Sequence, residues 1–140
     1  MLCDHHAYPT LPARDIERAR RFYEGALGFE PEMVTTAGVL YNARGSRVLL
    51  YPSTFAGTNQ ATACGFEVDD LPAMVAELKG RGVKFEEYEV PGYKTVDGIV
   101  SGPEGDAAWF KDTEGNIVGL FQPQKTMPWP RDTATSGARA

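Results

Sequence analysis

The only two histidines in the chain are adjacent, in Cys3-Asp4-His5-His6. Four potential metal ligands in four residues could bind a divalent ion through thiolate, carboxylate and imidazole lone pairs. The competing reading is an unordered N-terminus that binds metal adventitiously. With both imidazoles committed there, no Ser-His-Asp or Cys-His nucleophilic arrangement can be assembled elsewhere. The glycine-rich stretches lack the Lys-Ser/Thr ending of a phosphate cradle. Glu67 stands out as a carboxylate inside an otherwise apolar run, Ala61 to Val68. Cys3 and Cys64 could pair in principle, but one sits at the chain end and the other inside that run. Both are expected to be free thiols in a reducing cytoplasm.

These groups must be positioned by a chain of 140 residues, 42% hydrophobic and 24% charged, with a net charge of −5. That is ordinary for one globular domain. No basic stripe is present, which argues against a nucleic-acid partner. No apolar run reaches the ~18 residues of a membrane span, and no basic-then-apolar leader opens the chain. No membrane partner and a cytoplasmic location are therefore expected.

The elements repeat. An Asp-led amphipathic helix closing on a Gly occurs at Asp15–Gly28 and again at Asp70–Gly82. Ile16, Ala19, Phe22/Tyr23 and Ala26/Leu27 form one apolar stripe; Leu71, Met74, Val75 and Leu78 form the other. Asp15 and Asp70 suit N-caps, Pro72 suits the first turn, and Gly28 and Gly82 suit the left-handed closing position. Strand-like runs surround them: Tyr8–Ala13, Glu32–Thr36, Val39–Asn42 and Arg47–Tyr51 around the first helix, then Ala61–Val68, Lys84–Tyr88, Ala107–Lys111 and Asn116–Phe121 around the second. Asp112–Asn116 reads as a hairpin turn. The order is βαβββ twice, an α+β fold of paired modules, about 7–53 and 61–122, within one domain over 7–123. Val90 to Asp106 reads as a long loop with room for one short strand, of the kind that closes over sites. Residues 124–140 read as a disordered tail in which Trp129, between two prolines, marks a point where part of it could dock.

Leu11-Pro12-Ala13-Arg14-Asp15-Ile16-Glu17-Arg18-Ala19-Arg20-Arg21-Phe22-Tyr23 with Leu27-Gly28-Phe29 resembles the opening module of the vicinal oxygen chelate superfamily. This group includes glyoxalase I, extradiol dioxygenases, bleomycin-binding resistance proteins and fosfomycin-modifying enzymes. Phe66-Glu67-Val68-Asp69-Asp70-Leu71 resembles its second-module opening. Trp109-Phe110-Lys111-Asp112-Thr113-Glu114-Gly115-Asn116-Ile117 resembles its closing hairpin, with Thr113 where proline is usual. The resemblance covers roughly residues 8–122 and implies paired βαβββ modules curling into half-barrels, and a homodimer. It also implies three inward strand positions for metal ligands, which fall here on Tyr8, Ala63 and Gly119. A methyl group and a hydrogen carry no lone pair, and an unperturbed phenol is a poor ligand at neutral pH. No metal and no other cofactor is therefore expected at the family position.

If those three positions face a cleft, period-two alternation brings Thr10 and Pro12, Gly65 and Glu67, and Ile117 and Phe121 to the same side. Tyr51, Leu49 and Arg47 share one face of their strand, as do Trp109 and Lys111 of theirs; which face is inside stays open. The expected ligand pocket is Tyr8, Thr10, Tyr51, Ala63, Gly65, Glu67, Trp109, Lys111, Gly119 and Phe121. Glu67 is either a base in an apolar cleft or the ion-pair partner of Lys111, Arg47 or another strand cation. Tyr51 and Trp109 are either core or stacking platforms. Tyr93 and Lys94 are either plain surface or lid contacts. The leading expectation is metal-independent binding of a flat or hydrophobic organic molecule. The alternatives are a lyase, isomerase or transferase of the same superfamily, glyoxalase-like or dioxygenase-like, with Glu67 as base, and a module whose role is protein association.

Overall fold

A computed structural model of the chain describes residues 1–130. Strand β1 (Thr10–Ala13) leads into α1 (Ile16–Arg20), whose cap is Asp15: its carboxylate accepts from the Arg18 N–H at 3.0 Å. The helix was expected to continue as one regular element to Gly28. It widens instead into a π-helical stretch, Arg21–Ala26, before Gly28 turns the chain at φ 79°. Packing explains the difference. A wider turn narrows the angle between successive side chains, so the neighbours Phe22 and Tyr23 both point inward. Phe22 lies 6.1 Å from the Phe110 ring, and Tyr23 stacks 6.0 Å from Tyr41.

Strands β2 (Pro31–Thr35), β3 (Gly38–Ala43) and β4 (Ser46–Pro52) complete a sheet of order β1-β4-β3-β2, with β1 parallel to β4. The second half repeats this. Strand β5 (Thr62–Glu67) is followed by α2 (Leu71–Gly80), capped by Asp70, which accepts from Ala73 N–H at 3.1 Å. A small hairpin of β6 (Glu89–Val90) and β7 (Tyr93–Lys94) precedes β8 (Ile99–Ser101), β9 (Gly105–Lys111) and β10 (Ile117–Pro123). The second sheet has the order β5-β10-β9-β8, with β5 parallel to β10. The duplication seen in the capped helices is thus a duplication in space, and neither sheet closes into a barrel.

One expected strand is absent. Lys84–Tyr88 forms no strand; Phe85 makes an isolated bridge to Phe110 and Glu86 N–H donates to Trp109 O at 2.8 Å. The outer edge of β9 can be paired only once at each residue. β8, from within the expected loop, takes Asp106 to Ala108, leaving Trp109 and Phe110 for Phe85 and Glu86.

The core lies between helices and sheets. Leu11, Ala13, Val39, Tyr41, Val48 and Leu50 face α1, while Ala108, Phe110, Val118 and Leu120 face α2. The halves are joined by the hairpin turn between β9 and β10. The fully buried Glu114 carboxylate accepts from Arg14 N–H (2.9 Å), Asp15 N–H (3.0 Å) and Arg18 Nε (2.8 Å). Asp112 accepts from the Tyr23 hydroxyl at 2.6 Å and from Asn116, whose amide also donates to Pro12 O. Among the described residues, no helix is long and apolar enough to cross a membrane. Cys3 is exposed, Cys64 is buried, and both are free; burial pushes the Cys64 thiol pKa up.

Candidate functional site

Because the core claims one face of each sheet, alternation sends the intervening residues to the other. In the second sheet these are Ala63, Gly65 and Glu67 on β5, Gly119 and Phe121 on β10, and Ala107, Trp109 and Lys111 on β9. Register sets them in rows: Gly65, Gly119 and Trp109 are direct neighbours across three strands, and Glu67, Phe121 and Ala107 form the next row. The first row is a shallow trough. A Cβ on Gly65 would find its nearest atom at 4.0 Å, whereas one on Gly119 would meet Trp109 Nε1 at 3.2 Å and Thr62 Cγ2 at 3.3 Å. The Trp109 indole therefore leans over Gly119, and only glycine leaves it that seat.

Aromatic groups wall both ends. At one, Trp109 is met edge-on by Tyr88 (centroids 5.7 Å) and at a tilt by Tyr93 (5.8 Å), beside a cavity of ≈340 Å³ that Thr62 and Ile117 also line. Burial, then the nearby Tyr88, raise the Tyr93 phenol pKa, so it stays a neutral donor. Tyr93 thus packs against Trp109, while Lys94 lies exposed, 4.0 Å from Glu89. At the other end Phe121 and Glu67 meet the C-terminal segment. Trp129 lies 5.1 Å from the Phe121 ring, and its Nε1–H donates to Glu67 Oε1 at 2.5 Å. A polar hollow of ≈390 Å³ adjoins Glu67, lined by Arg44, Asp69, Gln122 and Lys125 among others.

The expected cationic partners of Glu67 are engaged elsewhere. Lys111 pairs with Glu86 at 3.4 Å and Arg47 with Glu32 at 3.0 Å. Register puts Lys111 level with Ile117 and Glu67 level with Phe121, at opposite ends of β10, and Arg47 belongs to the other sheet, so neither of these two ion pairs forms. Thr10 and Tyr51 lie on the corresponding face of the first sheet, β1 pairing Thr10 with Leu49 and Pro12 with Tyr51. No hydrogen bond or ring contact among the described residues joins them to the Gly119 trough. Tyr8 precedes β1 and is exposed. Tyr88 was legible only as the end of an expected strand, and Trp129 only as an aromatic between prolines. Their place in the site depends on tertiary contacts with Trp109, Phe121 and Glu67. The rest of the expected tail, residues 131–140, lies outside the described residues.

The three seats implied for metal ligands do not suit a divalent ion. They present an exposed phenol, a methyl group, and a backbone hydrogen under an indole. Among the described residues, no three or more His, Cys, Asp and Glu are grouped to hold a metal ion, Cys3 to His6 included. The Asp4 carboxylate is instead 3.1 Å from the chain's own terminal amine.

Comparison with known proteins agrees with this architecture. The sequence profile of the Glyoxalase/Bleomycin resistance protein/Dioxygenase superfamily matches residues 4–120. No curated protein gives a significant sequence match. Among solved structures, a glyoxalase/bleomycin resistance protein/dioxygenase from Alicyclobacillus acidocaldarius superposes with TM-score 0.69 at 15% identity, covering 90% of this chain and 97% of that one. A virulence protein from Salmonella typhimurium gives 0.64 at 20% identity, covering 89% and 100%. The fosfomycin resistance protein FosX from Listeria monocytogenes gives 0.63 at 14%, covering 86% and 94%. Identities this low establish a common fold and nothing finer. With the profile spanning both βαβββ modules, the chain belongs to the glyoxalase/bleomycin resistance protein/dioxygenase superfamily.

Proposed function

We propose that the chain binds a flat or hydrophobic organic molecule without the help of a metal ion. The observation that carries this reading is the fate of the three seats: a phenol outside the sheet, a methyl on β5, and Gly119 roofed by Trp109. What those positions give up in lone pairs leaves Ala63 and Gly65 as an open floor beside the Trp109 ring, with aromatic groups at both ends. Burial of a planar apolar group there draws on hydrophobic transfer and ring stacking, worth roughly 0.5–1.5 kcal/mol per aromatic pair beyond area. The family's bleomycin-binding resistance proteins, which sequester a drug unaltered, are the nearest functional analogy.

Trp109 makes the site observable, since a ligand seated on it perturbs its fluorescence. Titration with a panel of planar aromatic compounds in EDTA should give saturable quenching, unchanged when the EDTA is removed and replaced by Zn²⁺ or Mn²⁺. Gly65→Phe, in the same row but with open space above it, should fill the trough and abolish the response while the protein remains folded. Binding that requires metal, or survives that substitution, would overturn the reading. Turnover with Glu67 as base is the enzymatic alternative. It would appear as consumption of the bound compound, lost in Glu67→Gln; we expect the compound to be recovered unchanged.

A further inference from the structure

The C-terminal segment already places one planar aromatic group on this face. Gln124 N–H donates to Glu104 O at 2.9 Å and Met127 N–H to Gln124 O at 3.1 Å, which bends the chain back toward β10. Trp129, between Pro128 and Pro130, then sets its indole against Phe121 and its ring N–H on the Glu67 carboxylate. Neither core cluster includes a residue of this segment. Trp129 remains 37% exposed, and among the described residues its side chain is held by one ring contact and one charge-assisted hydrogen bond. The proline on each side limits the backbone freedom lost on docking. Glu67, exposed and without Lys111 or Arg47 as a partner, has in that indole the single hydrogen bond found for its side chain among the described residues.

We propose that Trp129 occupies a seat for a planar aromatic group bearing an N–H donor, with Phe121 as its stacking surface and Glu67 as its acceptor, and that such a ligand displaces the C-terminal segment. The proposal rests on the binding reading above and narrows it from any flat apolar molecule to indole-like or arylamine-like ones. Competition with an attached occupant follows from mass action. A tethered group acts at an effective concentration in the millimolar range, and apparent ligand affinity falls by the fraction of chains with the seat open.

The test uses the full chain and two isosteric probes, indole and benzothiophene; they share a planar outline, but only indole carries an N–H. Trp129→Ala should tighten indole binding by about tenfold if roughly nine chains in ten hold the segment docked. In that variant indole should bind about threefold or more tighter than benzothiophene, the modest preference expected for a hydrogen bond to an exposed carboxylate. Adding Glu67→Ala should erase the preference. In the unmutated protein, indole should move the Trp129 Nε1–H resonance toward its free position. Equal affinities for the two probes in Trp129→Ala, no gain over the unmutated chain, or a Trp129 resonance that indole does not move would each overturn the proposal. If the probes still perturb Trp109 in those cases, the binding reading survives without it. If neither probe binds any variant at all, both fall.

Discussion

At the scale of single residues, the most consequential group is Glu114, which lies at the seam between the modules. Its carboxylate is fully buried and ties the closing hairpin of the second module to the start of α1 through Arg14, Asp15 and Arg18. Burial alone would raise its pKa. The Arg18 hydrogen bond, the Asp15 backbone N–H, the Thr113 hydroxyl and the Arg18 charge outweigh that and hold it at about 2, below the ordinary 4.5. A depressed folded pKa means this group's stabilisation is full above about 4.5 and is lost as pH falls toward 2. The melting temperature should therefore decline through that window, and Glu114→Gln should flatten this part of the profile. Glu114→Ala leaves two backbone donors and a guanidinium without their acceptor. It should cost about 2–4 kcal/mol in urea denaturation; a loss under 1 kcal/mol would show that the seam relaxes freely. The Tyr23 hydroxyl, bonded to Asp112, is raised far above its usual pKa by burial and then by that carboxylate, so it stays protonated and the contact is a fixed one.

At the scale of elements, the docked segment after β10 is separable from the fold. Among the described residues its attachment is one ring contact, a few hydrogen bonds and no core residue, on the order of 1–2 kcal/mol. Ending the chain after Gln124 should leave it folded, with the melting temperature lowered by no more than about 8 °C. A drop of 15 °C by calorimetry would instead make the segment a structural strap. The two helices and seven of the eight expected strands were legible because their signals are local: an Asp cap, a closing glycine, an apolar stripe, period-two alternation. The eighth was misplaced at Lys84–Tyr88. Its alternation was adequate, but β9 has only one free edge and Ile99–Ser101 competes for it. The π-helical widening of α1 was equally invisible, since it answers to Phe110, Tyr41 and Asp112, all distant along the chain.

At the scale of the whole molecule, β2 is an edge strand with every residue exposed. Met33 is 54% and Val34 52% exposed, and neighbours on a strand point to opposite faces, so this edge is apolar on both sides. An edge of that kind invites association. Sedimentation equilibrium should give twice the chain mass, and Val34→Lys should return it to one. A monomeric unmutated chain would count against the homodimer and leave the single-chain trough as the complete site.

By itself the sequence determined the repeat, the helix caps, the parity of each strand and the chemical poverty of Tyr8, Ala63 and Gly119 as ligands. Each of these is written in neighbours a few residues apart, or in side-chain identity alone. Only the tertiary structure decided that Trp109 leans over Gly119, that Glu114 seals the two modules, and that Glu67 receives the Trp129 indole. Residues 62 and 96 positions apart meet in the last two contacts. Partners so distant leave no periodicity to read, because which of several available groups wins is settled by the packing of the whole.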